Sequence, residues 1–270
     1  MENLICPIGI VLNGYYEYYI IVSEYYKSQR TSNLYEANST EQYRLSRNKI
    51  ELYLDCERCF YFDRKLGKGR PPGYPFSLNS AVDTLLKREF DQHRENGTVH
   101  PLVKSNGLNL VPLNDDRIEE WRDALRRGIT HHMPGTNIRV TGAVDDVWVD
   151  PSSNQLSIVD YKATSKLGVV SIDSGWQAGY KRQMEMYQWL FRQNGFDVSD
   201  TGYFVYCNGR QDAPAFDSRL EFEVSLIPYT GNDSWVGNTV SNAYNCLQSD
   251  EIPNRSTDCD YCEFIDQRVT

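Results

Sequence analysis

Apolar residues recur at helical spacing in several stretches of this 270-residue chain. The clearest stretch is 78–90, where Leu78, Val82, Leu85, Leu86 and Phe90 share one face of a 3.6-residue period. The same kind of pattern predicts further helices at 48–62, 115–133, 176–191 and 235–247. A Gly/Pro-rich loop at 67–75 separates the first two of these helices.

Shorter stretches have the pattern of β-strands. Segments 139–149 and 155–163 flank a turn-rich sequence at 150–154, and this arrangement predicts a β-hairpin. Segments 202–206 and 220–226 are predicted to form two more strands. The order of helices, hairpin, helix, strands and helix predicts an α/β fold with one central sheet packed by helices.

Composition limits the size and the partners of the protein. Its length and 40% apolar content favour one domain at 43–270, preceded by a Tyr-rich extension of uncertain structure at 1–42. A net charge of −9 argues against the broad basic surface of a tight, nonspecific duplex binder, so any nucleic-acid contact must be local. The apolar stretch at 7–22 is too short and too polar to span a bilayer, so no membrane partner is expected and the cytoplasm is the expected compartment.

Carboxylates and an amine are predicted to meet on the hairpin. Asp160 and Lys162 alternate along the second strand and therefore project from the same face. Pairing with the first strand would bring either Asp145 or Asp146 beside Asp160, and the strand register leaves this choice open. Two carboxylates at this separation suit Mg²⁺ or Mn²⁺, which can generate hydroxide and hold a scissile phosphate.

The order of three short motifs resembles a known family. Gly-x-x-Asp at 142–145, Ile-x-Asp-Tyr-Lys at 158–162 and Gln-x-x-x-Tyr at 183–187 are similar to the core of RecB-like PD-(D/E)XK nucleases, including those of CRISPR adaptation. The segment 46–66, with a cysteine before an aromatic run, is similar to an upstream segment of the same group. The resemblance spans roughly 45–265 and implies a restriction-endonuclease-like core, with a central mixed sheet flanked by helices.

The resemblance also implies a role for each motif residue. Asp145 and Asp160 would be metal ligands, the Tyr161 carbonyl a further ligand, and Lys162 would orient or deprotonate the attacking water. Gln183 and Tyr187 lie four residues apart on one helical face and would steady Lys162 or the nucleic-acid backbone.

The third metal ligand departs from the family pattern. The family often carries Gly-x-x-x-His on the preceding helix, whereas this chain has Asn79 and Asp83 at those positions. An aspartate can bind the same hard metal, which makes Asp83 the candidate ligand. Simpler interpretations remain open: Asp83 as a helix-surface carboxylate, and Tyr187 as a core residue on an apolar stripe.

Four of the seven cysteines form two widely separated CxxC pairs, which suits metal ligation in a reducing compartment. The pairs are Cys56 with Cys59 and Cys259 with Cys262. Four thiolates can bind structural Zn²⁺ or a [4Fe-4S] cluster, and the two-plus-two division slightly favours zinc. The competing interpretation is two unconnected pairs of buried thiols.

The leading hypothesis is therefore a Mg²⁺- or Mn²⁺-dependent deoxyribonuclease. The resemblance implies a RecB-like exonuclease that hydrolyses phosphodiester bonds of DNA, with single-stranded ends as the favoured substrate. The alternative is a noncatalytic nucleic-acid-binding or assembly module that retains the fold. The presence of Asp145, Asp160 and Lys162 together favours the enzyme, because a degenerate relative would be expected to lose at least one of them.

Overall fold

The chain forms strands and helices in mixed order. The computed structural model describes residues 8–12, 15–19, 29–71, 73, 77–173 and 175–269. The strands are β1 Ile8–Leu12, β2 Tyr15–Tyr19, β3 Tyr43–Ser46, β4 Val111–Pro112, β5 Ile129–His132, β6 Ile138–Gly142, β7 Asp146–Val149, β8 Leu156–Thr164, β9 Thr201–Gly209 and β10 Phe222–Thr230. The helices are α1 Arg47–Asp55, α2 Glu57–Arg64, α3 Ser77–Asn96, α4 Pro101–Ser105, α5 Ile118–Trp121, α6 Ala178–Gln193, α7 Val236–Gln248 and α8 Asp260–Val269.

A five-stranded mixed sheet carries the predicted hairpin. Its strand order is β10-β9-β8-β7-β4, with β8 and β9 parallel and the other pairs antiparallel. Alternate residues of β8 face opposite sides: Val159 packs in the cluster with Phe90 of α3, and Ile158 packs in the cluster with Met184 of α6. The sheet is therefore covered by helices on both faces, which confirms the predicted α/β class with a central mixed sheet.

A second sheet brings the start of the described domain next to the hairpin. Its strand order is β3-β6-β5, with β3 parallel and β5 antiparallel to β6.

Within the 1–42 segment, the described strands β1 and β2 pair antiparallel, from Ile8 opposite Tyr19 to Leu12 opposite Tyr15. None of the helices in the described ranges is long and apolar enough to cross a lipid bilayer.

The first strand of the predicted hairpin is two strands in two sheets. Segment 139–149 was expected to be continuous, but β6 ends at Gly142 and β7 begins at Asp146. A Cβ on Gly142 would lie 2.7 Å from Tyr187 Cε1, so only glycine allows this close contact with α6. The hairpin consists of β7 and β8, and Asp145 lies in the crossing between the two sheets.

The prediction of a helix at 115–133 is wrong. Only the short α5 forms there, and Gly128 then adopts a φ of 76°, in the left-handed region. A Cβ on Gly128 would lie 2.4 Å from the Gly142 carbonyl oxygen, so this residue allows the chain to return against β6. The last part of the predicted helix is β5, whose pairing with β6 outweighs the local helical pattern.

The other predicted helices form with shifted bounds. The segment predicted as a helix at 48–62 is two helices, because Cys56 between α1 and α2 is extended, with φ −163° and ψ 112°. The sequence pattern gave no prediction for α8, since its Tyr261, Phe264 and Ile265 are exposed and it has no stripe of core residues. Its Cys262 is buried and packs against Cys59 of α2.

Candidate functional site

Asp145 is fixed at the point where the chain passes from one sheet to the other. Its carboxylate accepts a hydrogen bond of 2.8 Å from the backbone N–H of Tyr161 on β8. Its carbonyl accepts a 3.0 Å hydrogen bond from Arg122 Nε, and its other carboxylate oxygen lies 3.5 Å from Lys87 Nζ. These contacts place the Asp145 carboxylate beside Tyr161, the residue that follows Asp160 on β8.

Asp160 is buried on the α6 side of the sheet. Its carboxylate forms an ion pair with Lys162, two residues along the same face of β8. Burial raises the pKa of Asp160 to about 6, with the positive charge of Lys162 opposing the rise and the negative charge of Asp145 adding to it. Oδ1 of Asp160 has no hydrogen-bond donor among the described residues, which is costly for a buried carboxylate oxygen.

Lys162 is held between the carboxylates and helix α6. Burial lowers the pKa of its ammonium, but the charges of Asp160 and Asp145 outweigh burial and raise that pKa overall. Lys162 Nζ donates a 3.2 Å hydrogen bond to Gln183 Oε1, and Gln183 Nε2 donates a 3.1 Å bond to the Tyr187 hydroxyl. The ammonium also lies 4.5 Å from the centre of the Tyr180 ring. This chain of contacts fixes both the charge and the direction of Lys162.

Tyr187 combines the two roles considered from its sequence position. Its ring is buried against Gly142 and the residues of the main core, as an apolar helix stripe predicts. Its hydroxyl accepts the hydrogen bond from Gln183. Tyr187 therefore holds Gln183 in position, and Gln183 in turn contacts Lys162.

Asp83 lines the same cleft as Asp145, Lys162 and Gln183, whereas the buried Asp160 does not line it. The cleft encloses about 570 Å³ and is lined by Asp83, Asp145, Lys162, Gln183 and neighbouring residues of α3 and β8. The Asp83 carboxylate accepts a 2.9 Å hydrogen bond from Lys87, whose ammonium also faces Asp145. Lys87 thus joins the two carboxylates, and a role of Asp83 as a metal ligand stays a prediction.

Asp146, the alternative to Asp145, points to the opposite side of the sheet. It is completely buried and forms ion pairs with Arg94 and Arg122. The Tyr161 hydroxyl donates a 2.9 Å hydrogen bond to it, and the Trp148 indole N–H donates another of 3.3 Å. These partners engage both of its oxygens, so Asp146 holds the hairpin in place rather than facing the cleft.

The sequence analysis missed the basic residues that support these carboxylates. Lys87 contacts Asp83 and Asp145, and Arg122 contacts the Asp145 carbonyl, Asp146 and Asp91. The spacing of Asp83 and Lys87, four residues apart on one helix, was a usable signal for their contact. The sequence held no comparable signal for Arg122, because its position depends on the early end of α5.

The four paired cysteines meet in space. Among the described residues, they are the one group of three or more His, Cys, Asp or Glu side chains whose ligand atoms all lie within 4.8 Å of one another. Cys59 Sγ lies 3.5 Å from Cys259 Sγ and 3.6 Å from Cys262 Sγ, and Cys56 Sγ lies 3.8 Å from Cys262 Sγ. All four are buried, which confirms the prediction that the two distant pairs form one cluster.

The polypeptide around the cysteine cluster supplies hydrogen-bond donors to sulfur. Arg70 lies 3.6 Å from Cys259 Sγ and stacks on the Tyr261 ring at 4.6 Å. Burial opposes ionisation of Cys56, but backbone hydrogen bonds from Ser256 and Cys59 lower the pKa of this thiol to about 6. These hydrogen bonds favour a thiolate at Cys56, the form that binds metal, whereas burial raises the pKa of Cys59 to about 11 and also raises that of Cys262.

Comparison with known families agrees with this geometry. The profile of the PD-(D/E)XK nuclease superfamily matches residues 77–267, which include the hairpin, helix α6 and both cysteines near the C-terminus. The chain belongs to this superfamily, and a nuclease-type function follows from that membership.

The chain also has a weak similarity to one solved structure, which is too low to add to the family assignment. One solved structure, described as the crystal structure of SSO0001, is 12% identical over 83% of this chain and 85% of its own, with a TM-score of 0.31. No curated protein matches the sequence significantly. The family assignment rests on the sequence profile alone.

Proposed function

We propose that this protein is a Mg²⁺- or Mn²⁺-dependent deoxyribonuclease that hydrolyses DNA phosphodiester bonds as a RecB-like exonuclease acting on single-stranded ends. The observation that carries the proposal is the buried Oδ1 of Asp160, which has no hydrogen-bond donor among the described residues. Asp160 pairs with Lys162, and Lys162 and Asp145 line an open cleft. A buried carboxylate oxygen of this kind is explained by a cation, since hard divalent cations take carboxylate ligands.

The residues fit a divalent cation at this position. Asp145 and Asp160 would hold it, with the Tyr161 carbonyl as a further candidate. Asp83 would have to come closer to serve as a third carboxylate ligand, because the three carboxylates do not all lie within 4.8 Å of one another. When bound, such a cation polarises a phosphoryl oxygen and lowers the pKa of a coordinated water.

The neighbouring side chains would do the remaining work. The raised pKa keeps Lys162 protonated, so its ammonium would orient the attacking water and stabilise developing negative charge rather than take up the proton of the water. Gln183 would keep the ammonium aimed at that position. Lys87 would be free to contact a phosphate once Asp83 and Asp145 bind the cation. The net charge of −9 supports a substrate that enters a local groove rather than a duplex bound over a broad surface.

We also infer that the cysteine cluster binds a structural metal and closes the domain from residue 43 to 270. A tetrahedral zinc site with Zn–S bonds of ~2.3 Å has S···S edges of about 3.8 Å. The three S···S distances of 3.5 to 3.8 Å are close to that edge. A [4Fe-4S] core must fit four irons and four sulfides between its thiolates and needs a wider separation, so these distances favour zinc.

The function is tested with end-labelled single- and double-stranded DNA and RNA, each incubated with Mg²⁺, Mn²⁺ or EDTA. We expect stepwise shortening of single-stranded DNA that requires the cation, with little product from RNA. The isosteric Asp160→Asn variant should lose about a thousandfold of the rate or more, because it removes a charged ligand. Binding of DNA by the parent without any cleavage under all these conditions would identify a noncatalytic module instead.

A further inference from the structure

Arg47 approaches the carboxylate site from an element that the motifs do not include. It is the first residue of α1 and directly follows β3. Strand β3 runs parallel to β6 with Ser46 opposite Thr141, so the next residue, Arg47, lies beside Gly142. Gly142 in turn packs on the Tyr187 ring. The topology therefore places Arg47 at the edge of the site that α6 and the Asp145 crossing share.

The guanidinium of Arg47 has no acidic partner in the part of the chain that the structure describes. Its Nε is buried and makes no hydrogen bond to the described residues. The two other cations of the site differ, because Lys87 contacts Asp83 and Asp145 while Lys162 contacts Asp160. A buried donor without an acceptor is costly, which suggests that its acceptor belongs to a ligand.

The charge of Arg47 reaches the catalytic groups. Burial raises the pKa of Tyr187, and Arg47 opposes that rise more than any other group. Arg47 likewise opposes the burial-driven rise in the pKa of Asp160. Its positive charge therefore acts at the carboxylate site, where a negatively charged substrate group would lie.

We propose that Arg47 binds a non-bridging phosphate oxygen of the DNA strand in the active site, and is thus a substrate-binding residue. The planar guanidinium can hold a phosphate through two parallel hydrogen bonds, and its Nε is one of the available donors. A phosphate oxygen supplies both the acceptor that Nε lacks and a negative charge opposite the guanidinium. This inference rests on the proposed nuclease function, since the phosphate belongs to the nucleic acid.

The test is binding of a fluorescein-labelled single-stranded oligonucleotide, measured by anisotropy at several salt concentrations. Ca²⁺ replaces Mg²⁺, and gels verify that the oligonucleotide stays intact. Arg47→Gln should raise Kd about tenfold and make the slope of log K against log salt shallower by about 0.7, which is the loss of one phosphate contact on a single strand. Arg47→Lys should keep the slope but bind more weakly than the parent, because lysine retains the charge without the fork.

Arg117→Gln is the matched control. Arg117 is an exposed arginine that stacks on Trp121 and Phe196. Phe196 follows the C-terminal end of α6, and the helix rises about 15 Å between Gln183 and Gln193. This variant should keep both the parent Kd and the parent slope.

Three results would contradict the proposal in distinguishable ways. If the parent binds and Arg47→Gln keeps its Kd and slope, the phosphate contact is wrong while the nuclease function stands. If the parent neither binds nor cuts any nucleic acid, both proposals fail. Should the glutamine variant not fold, as thermal melting would reveal, an Arg47→Lys protein with the parent Kd would contradict the two-bond contact.

Discussion

At the carboxylate site, the motif residues come from one hairpin and the helix that follows it, whereas the cysteine cluster joins residues 200 to 206 positions apart. The first arrangement needs only local pairing of β7 with β8 and the packing of α6. The second forms only if the two ends of the domain meet. Substitutions at the two places should therefore affect different properties: rate at the carboxylates, and folding at the cysteines.

The carboxylate site and the cysteine cluster also differ in how burial affects the stability of the fold. Asp160 is a buried carboxylate whose Oδ1 lacks a hydrogen-bond donor among the described residues, which destabilises the fold unless a cation binds there. The four buried thiols become favourable when a metal binds them, because metal affinity then adds to the free energy of folding.

The largest effect should come from Lys162→Ala. Loss of the ammonium that would orient the attacking water should slow cleavage about a thousandfold, or about 4 kcal/mol of barrier, while the fold is retained. Single-turnover rates and thermal melting measure the two effects separately. Lys181→Ala is the control, because Lys181 pairs with Asp173 outside the motif residues. A folded Lys162→Ala protein that cuts as fast as the parent would show that the assignment of Lys162 is wrong.

The next effect should be on stability and come from the cysteines. Cys59→Ser removes the sulfur that contacts both Cys259 and Cys262 and should lower the free energy of unfolding by about 4 kcal/mol, or roughly 10 °C in melting temperature. Elemental analysis should give about one zinc per parent chain and less in the variant, and a brown protein absorbing broadly near ~400 nm would indicate an iron-sulfur cluster instead.

Cys246→Ser is the matched control for the cysteine prediction, since Cys246 is a partly buried thiol outside the cluster. It should keep both the metal and the melting temperature within a few degrees of the parent. Equal metal content in the Cys59 and Cys246 variants would mean that the cluster does not bind the metal through Cys59.

Periodicity found the elements that bury a continuous stripe, and missed those defined by distant partners. Helices α6 and α7 each bury such a stripe and were predicted from it. Helix α3 was predicted in the same way but buries only part of its stripe, since Leu86 and Phe90 are buried whereas Leu78 and Leu85 are exposed. Strand β5 was hidden because its pairing with β6 depends on the turn at Gly128. The motif residues were identified from their order, but the choice between Asp145 and Asp146 needed the crossing between sheets, which no local pattern encodes.

A smaller effect should follow from Gln183→Ala. Gln183 accepts from Lys162 and donates to Tyr187, so its loss should leave the ammonium less well aimed and slow cleavage about 10- to 100-fold. Tyr187→Phe keeps the ring that packs on Gly142 and should slow cleavage less. Cleavage rates and melting temperatures of both variants show whether Gln183 and Tyr187 act in cleavage or only in packing. Unchanged rates with equal losses of stability would assign both residues a purely structural role.

The smallest effect concerns the dependence of stability on pH in the absence of added divalent cations. Burial raises the pKa of Asp160 to about 6, whereas an aspartate in the unfolded chain titrates near ~3.9. The folded state therefore binds more protons than the unfolded state between these values, and the stability that Asp160 contributes below about pH 4 is lost as the pH rises to about 6. Asparagine does not titrate, so the free energy of unfolding of the parent should fall by about 1 kcal/mol more than that of Asp160→Asn between pH 5 and pH 7. Urea unfolding of both proteins at each pH measures this difference, and any contribution of the cysteine cluster cancels because both chains contain it. Parallel curves would show that the Asp160 carboxylate is ionised at no cost, which would remove the observation on which the cation site is argued.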